Sequence, residues 1–112
     1  MNPPETCRCH QPPFHAKDFQ PRHLGVDKTD GRFADVSLLQ CGFCGTWWLE
    51  YAFSVEGFSE SGRWFRVKVE ESELPALTAA NAAGYLEKAE SHFAGGSYFR
   101  TTCQWVSGGV AP

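Results

Sequence analysis

The sequence predicts a small α+β domain: an antiparallel sheet of about four strands, one C-terminal helix, and a cysteine-bearing turn suited to a metal ion. Three observations carry that expectation. Apolar residues recur at every second position in three runs between residues 33 and 69, the period of a half-buried strand. A helical period follows between residues 82 and 93. Four of the five cysteines fall into two close pairs, Cys7/Cys9 and Cys41/Cys44.

A chain of 112 residues argues for a single domain, 1–112. Its apolar content of 42% gives a modest core, so a metal staple would add useful stability. The net charge of -3 and a pI near 5.7 disfavour a general nucleic-acid binder, whose affinity rests on neutralising phosphates. The first residues lack a basic stretch followed by an apolar one, so no signal peptide is expected. No apolar run approaches the roughly 20 residues that span a bilayer. An odd number of cysteines cannot all pair within the chain, and clustered thiols in a chain without a secretory signal read as metal ligands. The expected compartment is the cytoplasm.

Residues 1–32 hold Pro3, Pro4, Pro12, Pro13 and Pro21 and show no clean period, which predicts an irregular Pro/His-rich segment. Sheet and helix are expected over 33–106. In the first strand Ala34, Val36 and Leu38 alternate with Asp35 and Ser37. After the Cys41/Cys44 turn comes the clearest strand, with Trp47, Leu49, Tyr51, Phe53 and Val55 on one face. A loop over 56–62 leads to a third, with Phe65, Val67 and Val69 opposite Trp64, Arg66 and Lys68. Ala82, Tyr85, Leu86, Ala89 and Phe93 form one helical stripe, with Thr78 as N-cap and Gly95-Gly96 as the stop. Gly84 inside it costs roughly 1 kcal/mol relative to Ala, so this helix depends on packing. Residues 97–106 read as a last strand with Phe99, Cys103 and Trp105 in step, Cys103 being a buried thiol. Residues 107–112 read as a frayed tail.

A structural Zn2+ takes four ligands, and short local pairs close its chelate loops at small entropic cost. The expected ligands are Cys7, Cys9, Cys41 and Cys44, with His10 as an equally good geometric alternative in the first pair. His15 and His23 are outside candidates. Unconnected thiols are the plainer alternative. Redox chemistry at Cys41-Gly42-Phe43-Cys44 would need a helix beginning at the first cysteine, whereas the residues that follow alternate as a strand. Removing Cys41 or Cys44 is expected to unfold much of the domain.

Cys41-Gly42-Phe43-Cys44-Gly45 between two strands resembles the knuckle of zinc-ribbon or rubredoxin-like domains. The likeness covers the two cysteine pairs and the strands beside them. It departs in the tight Cys7-x-Cys9 spacing and in the 31 residues between Cys9 and Cys41. The resemblance implies a structural metal and a scaffold for binding protein or nucleic acid, without choosing between them. Hydrolytic signatures are missing: no histidine is followed by x-Glu, and neither His-Glu-x-x-His nor Gly-x-Ser-x-Gly occurs. An enzyme would have to use His10 or His15 with Asp18 near the metal.

Trp48, Trp64 and Arg66 fall on the face opposite the main apolar stripe. They form either a binding patch, for protein or for stacked bases, or a face covered by the helix or the N-terminal segment. The function this supports is a non-catalytic, zinc-binding protein-interaction module. Single-stranded nucleic-acid binding is the first alternative and a zinc enzyme the second.

Overall fold

Alternation does its work where the sheet has two sides to cover. The computed structural model describes residues 9, 16–28, 33–53, 62–96 and 101–110. They form six strands: β1 Phe19–Asp27, β2 Ala34–Cys41, β3 Trp47–Phe53, β4 Arg63–Val69, β5 Ser91–Gly96 and β6 Thr101–Ser107. These make one antiparallel sheet in chain order, β1-β2-β3-β4-β5-β6. Short 3-10 segments lie at Ala16–Asp18 and Glu71–Ala76, and one α-helix, α1, spans Ala82–Lys88. No helix among the described residues is long and apolar enough to cross a membrane.

The antiparallel sheet with a helix is as expected, but it has six strands rather than about four. β1 occupies what reads as an irregular segment. It is an edge strand, exposed along Gln20, Pro21, Arg22 and His23, so one-sided burial imposes no alternation on it. Pro21 is tolerated because an edge strand can dispense with an amide donor. A register shift between His23 and Gly25 bends the strand, and Gly25 takes it at φ +139°.

The helix is also shorter than its stripe, and it is not C-terminal. It stops at Lys88, and β5 and β6 follow. Phe93 continues the helical period only by coincidence. In β5 it points to one face while Ala94 points to the other, and pairing with β4 and β6 overrides the local pattern. The N-cap is Asn81 rather than Thr78, which instead braces the turn before it. Thr78 Oγ1 accepts the Asn81 amide at 3.2 Å, and Asn81 Oδ1 accepts the Thr78 amide at 2.8 Å, closing the turn that precedes Ala82.

The 107–112 segment is not frayed over its described part. Gly108 N–H donates to Glu90 O at 2.7 Å, Val110 N–H to Leu86 O at 2.9 Å, and Gly108 O lies 2.8 Å from His92 Nδ1. Val110 packs against the main core. A stretch as short as Gly108-Gly109-Val110 gives no periodic signal, yet its backbone supplies a partner for the end of the helix.

Two cores result, one on each face. The larger joins Val36, Leu38, Leu49, Tyr51, Phe65 and Val67 of the sheet to Leu77, Ala82 and Leu86 of the helical connection between β4 and β5. Within it Tyr51 Oη donates a short hydrogen bond to the buried Asp27. The smaller lies on the other face and contains Cys9, Phe19, Leu39, Cys41, Trp48 and Phe93. The cysteine turn sits at the edge of this second core.

Candidate metal centre

The turn between β2 and β3 is built by its backbone. Cys41 N–H donates to Thr46 O at 2.9 Å, closing the hairpin, and Gly45 N–H donates to Cys41 O at 3.0 Å. The chain must reverse within this turn, and Gly45 adopts φ +78°, which a residue with a side chain takes reluctantly. Phe43 N–H points at Cys41 Sγ, 3.4 Å away, so a main-chain dipole faces the sulfur. Gly42 N–H donates to Asp18 O at 2.8 Å, tying the turn to the segment that leads into β1.

That tie brings the N-terminal part of the chain to the turn. Cys9 lies against it, and the Sγ atoms of Cys9, Cys41 and Cys44 all fall within 4.8 Å of one another. Cys9 Sγ is 3.5 Å from Cys44 Sγ. A Zn–S bond of about 2.3 Å with tetrahedral angles separates ligand sulfurs by about 3.8 Å, so three thiolates at this spacing fit such an ion. Cys9 and Cys41 are buried and Cys44 is exposed. Thr46 Oγ1 lies 3.1 Å from Cys44 Sγ, and once that thiol is ionised only the hydroxyl can donate.

The structure therefore gathers three of the four expected cysteine ligands. Cys7 and the alternative His10 lie outside the described residues, as does His15. His23 is elsewhere: it pairs across the sheet with Ser37, four residues and about 13 Å along β1 from the Phe19–Cys41 pair. Its Nε2 lies 3.3 Å from Asp35 Oδ1. The 56–61 loop and Val55 are also outside the described residues, as is the side chain of Cys103. Sequence reasoning missed the parts played by Asp18 and Thr46. A hydroxyl two residues beyond Cys44 was the available sign of the second. A backbone carbonyl leaves no sign.

Of the two readings of the aromatic face, the structure matches the one in which the N-terminal segment covers it, and the open patch of Trp48 and Arg66 is set aside. Trp48 is 1% exposed and Arg66 8%, so neither belongs to an open binding surface. Trp48 packs on Phe93 with ring centroids 5.7 Å apart. Arg66 stands opposite Glu50 in the β3–β4 register. Its Nε and Nη2 contact Glu50 Oε2 at 3.2 and 2.5 Å, and its Cζ lies 5.0 Å from the Phe19 ring centre and 5.3 Å from that of Trp64. Trp64 is half-buried, with its ring against Gly95. The cause is coverage by Phe19 and Cys9, so this face is core rather than surface. Exposed apolar side chains instead include Phe43 at the tip of the cysteine turn and Phe33, just before β2.

No protein-family model, curated protein or solved structure matches the chain.

Proposed function

We propose that this chain is a small non-catalytic domain stapled by one structural Zn2+, acting as a protein-interaction module in the cytoplasm. The observation that carries the metal is the arrival of Cys9, remote in sequence, at the turn that holds Cys41 and Cys44. Cys7 or His10 supplies the fourth ligand in this reading, closing the shell and leaving no open position for a reactive water. The ion would tie the N-terminal segment to the β2–β3 turn and hold down the core that Cys9 shares with Phe19 and Trp48.

A rigid turn that presents the exposed Phe43 suits recognition of another protein. Engagement of Arg66 by Glu50, with Trp48 buried, weighs against the stacked-base alternative.

Elemental analysis with native mass spectrometry tests the reading. It requires one zinc per chain, lost in Cys9→Ser, Cys41→Ser and Cys44→Ser, with Cys7→Ser and His10→Ala identifying the fourth ligand. Protein purified without chelators and carrying no metal would sink the proposal. Zinc retained in both Cys7→Ser and His10→Ala would favour an open position and the enzyme alternative.

A further inference from the structure

An open sheet has two edges, and here they differ in kind. β1 bears the usual deterrents to further pairing: Pro21, the charged Arg22, and the bulge between His23 and Gly25 that bends the strand. β6 lacks the proline and the charge, although its ladder with β5 also carries an irregularity, where Ala94–Gly96 faces Thr101–Gln104. Its seven residues, Thr101 to Ser107, include no proline, no glycine and no charge. It ends the sheet on the far side of β5, and among the described residues no backbone hydrogen bond reaches it beyond that ladder. Natural sheets blunt exposed edges, because a row of unpaired amides and carbonyls recruits another strand.

We propose that β6 is an interface strand that pairs with β6 of a second copy, joining two six-stranded sheets about a two-fold axis. Three features favour that occupant. Every pairing in the sheet is antiparallel, and antiparallel pairing of a strand with its own copy continues the same ladder. The two-fold arrangement is self-complementary, so one sequence supplies both sides. Each molecule carries a net charge of -3, yet the uncharged strand lets two copies meet without like charges opposed across the ladder. Threonine, tryptophan and valine, which supply four of the seven residues, are also residue types that favour strands. The inference does not depend on the metal.

Sedimentation velocity over a range of concentrations, with far-UV circular dichroism on each variant, tests it. The wild type is expected to reach twice the 12.5 kDa chain mass at tens of micromolar. Val106→Lys places a guarding cation on an exposed β6 side chain and should leave a folded monomer. Ser107→Lys serves the same purpose should the first variant lose its fold. Gln20→Lys, on the exposed β1 edge, should leave the dimer intact. A wild type that stays monomeric to several hundred micromolar overturns the proposal. So does a dimer that survives both β6 substitutions, or one that Gln20→Lys disrupts.

Discussion

Single side chains divide sharply between those that hold the thiols and those that hold the sheet behind them. Thr46 belongs to the first group, through its contact with Cys44. On the zinc proposal, Thr46→Val should keep the fold and weaken metal binding by about tenfold, the lower end of what loss of a ligand's supporting hydrogen bond costs. A competition titration with a chromophoric chelator measures this, and unchanged affinity would mean the hydroxyl does not support the sulfur. Glu50 belongs to the second group. Arg66 is buried under Phe19 and Trp64 with Glu50 as its carboxylate, so Glu50→Gln removes the charge that compensates it. A loss of about 2 kcal/mol in urea unfolding is expected, typical of a hydrogen bond to a charged group. The sequence places Glu50 and Arg66 on one face, but their direct opposition depends on the β3–β4 register.

Elements respond to glycine in opposite directions. Gly84 lies within α1, and an added Cβ would meet nothing within 4 Å. Gly84→Ala should therefore stabilise the protein by about 1 kcal/mol through helix propensity alone. At Gly109 the same methyl would lie 2.1 Å from Glu87 O, backbone that cannot rotate away. Gly109→Ala should destabilise by about 1–3 kcal/mol, the usual range for overpacking, and lift the last described segment off the helix. Thermal melts of the two variants, moving apart from the wild type, would check both together. The same contrast explains which elements the sequence made legible. β2, β3 and β4 alternate because each has a face in the larger core, and the cysteine turn shows itself through its residue types. β1 is buried only at its two ends, Phe19 and Asp27, and the segment around Val110 is tied largely through its backbone, so neither shows an alternating face. Side-chain patterns do not encode backbone ties, and β5 was hidden by a residue that fits two periods.

At the scale of the whole molecule, the two cores lie on opposite faces, and all three clustered cysteines belong to one side. That arrangement narrows the expectation that losing a cysteine unfolds most of the domain. On the zinc proposal, a chelator should loosen the face bearing Cys9, Phe19 and Trp48, while the helix-covered face keeps its sheet. Tryptophan fluorescence should shift to the red with most of the far-UV signal retained. Simultaneous loss of both signals would show that the two cores stand or fall together. The order of the strands has a consequence for time as well. Each strand pairs with its neighbour in the chain, so the β2–β3 hairpin can form early without waiting for distant segments. Its turn already holds Cys41 and Cys44, whereas Cys9 must arrive from far upstream. An ion present during refolding would meet a two-thiolate site first and recruit the N-terminal segment afterwards. Stopped-flow refolding with zinc should then show a fast metal-independent phase and a slower one whose rate follows the metal concentration, with Cys9→Ser abolishing only the second.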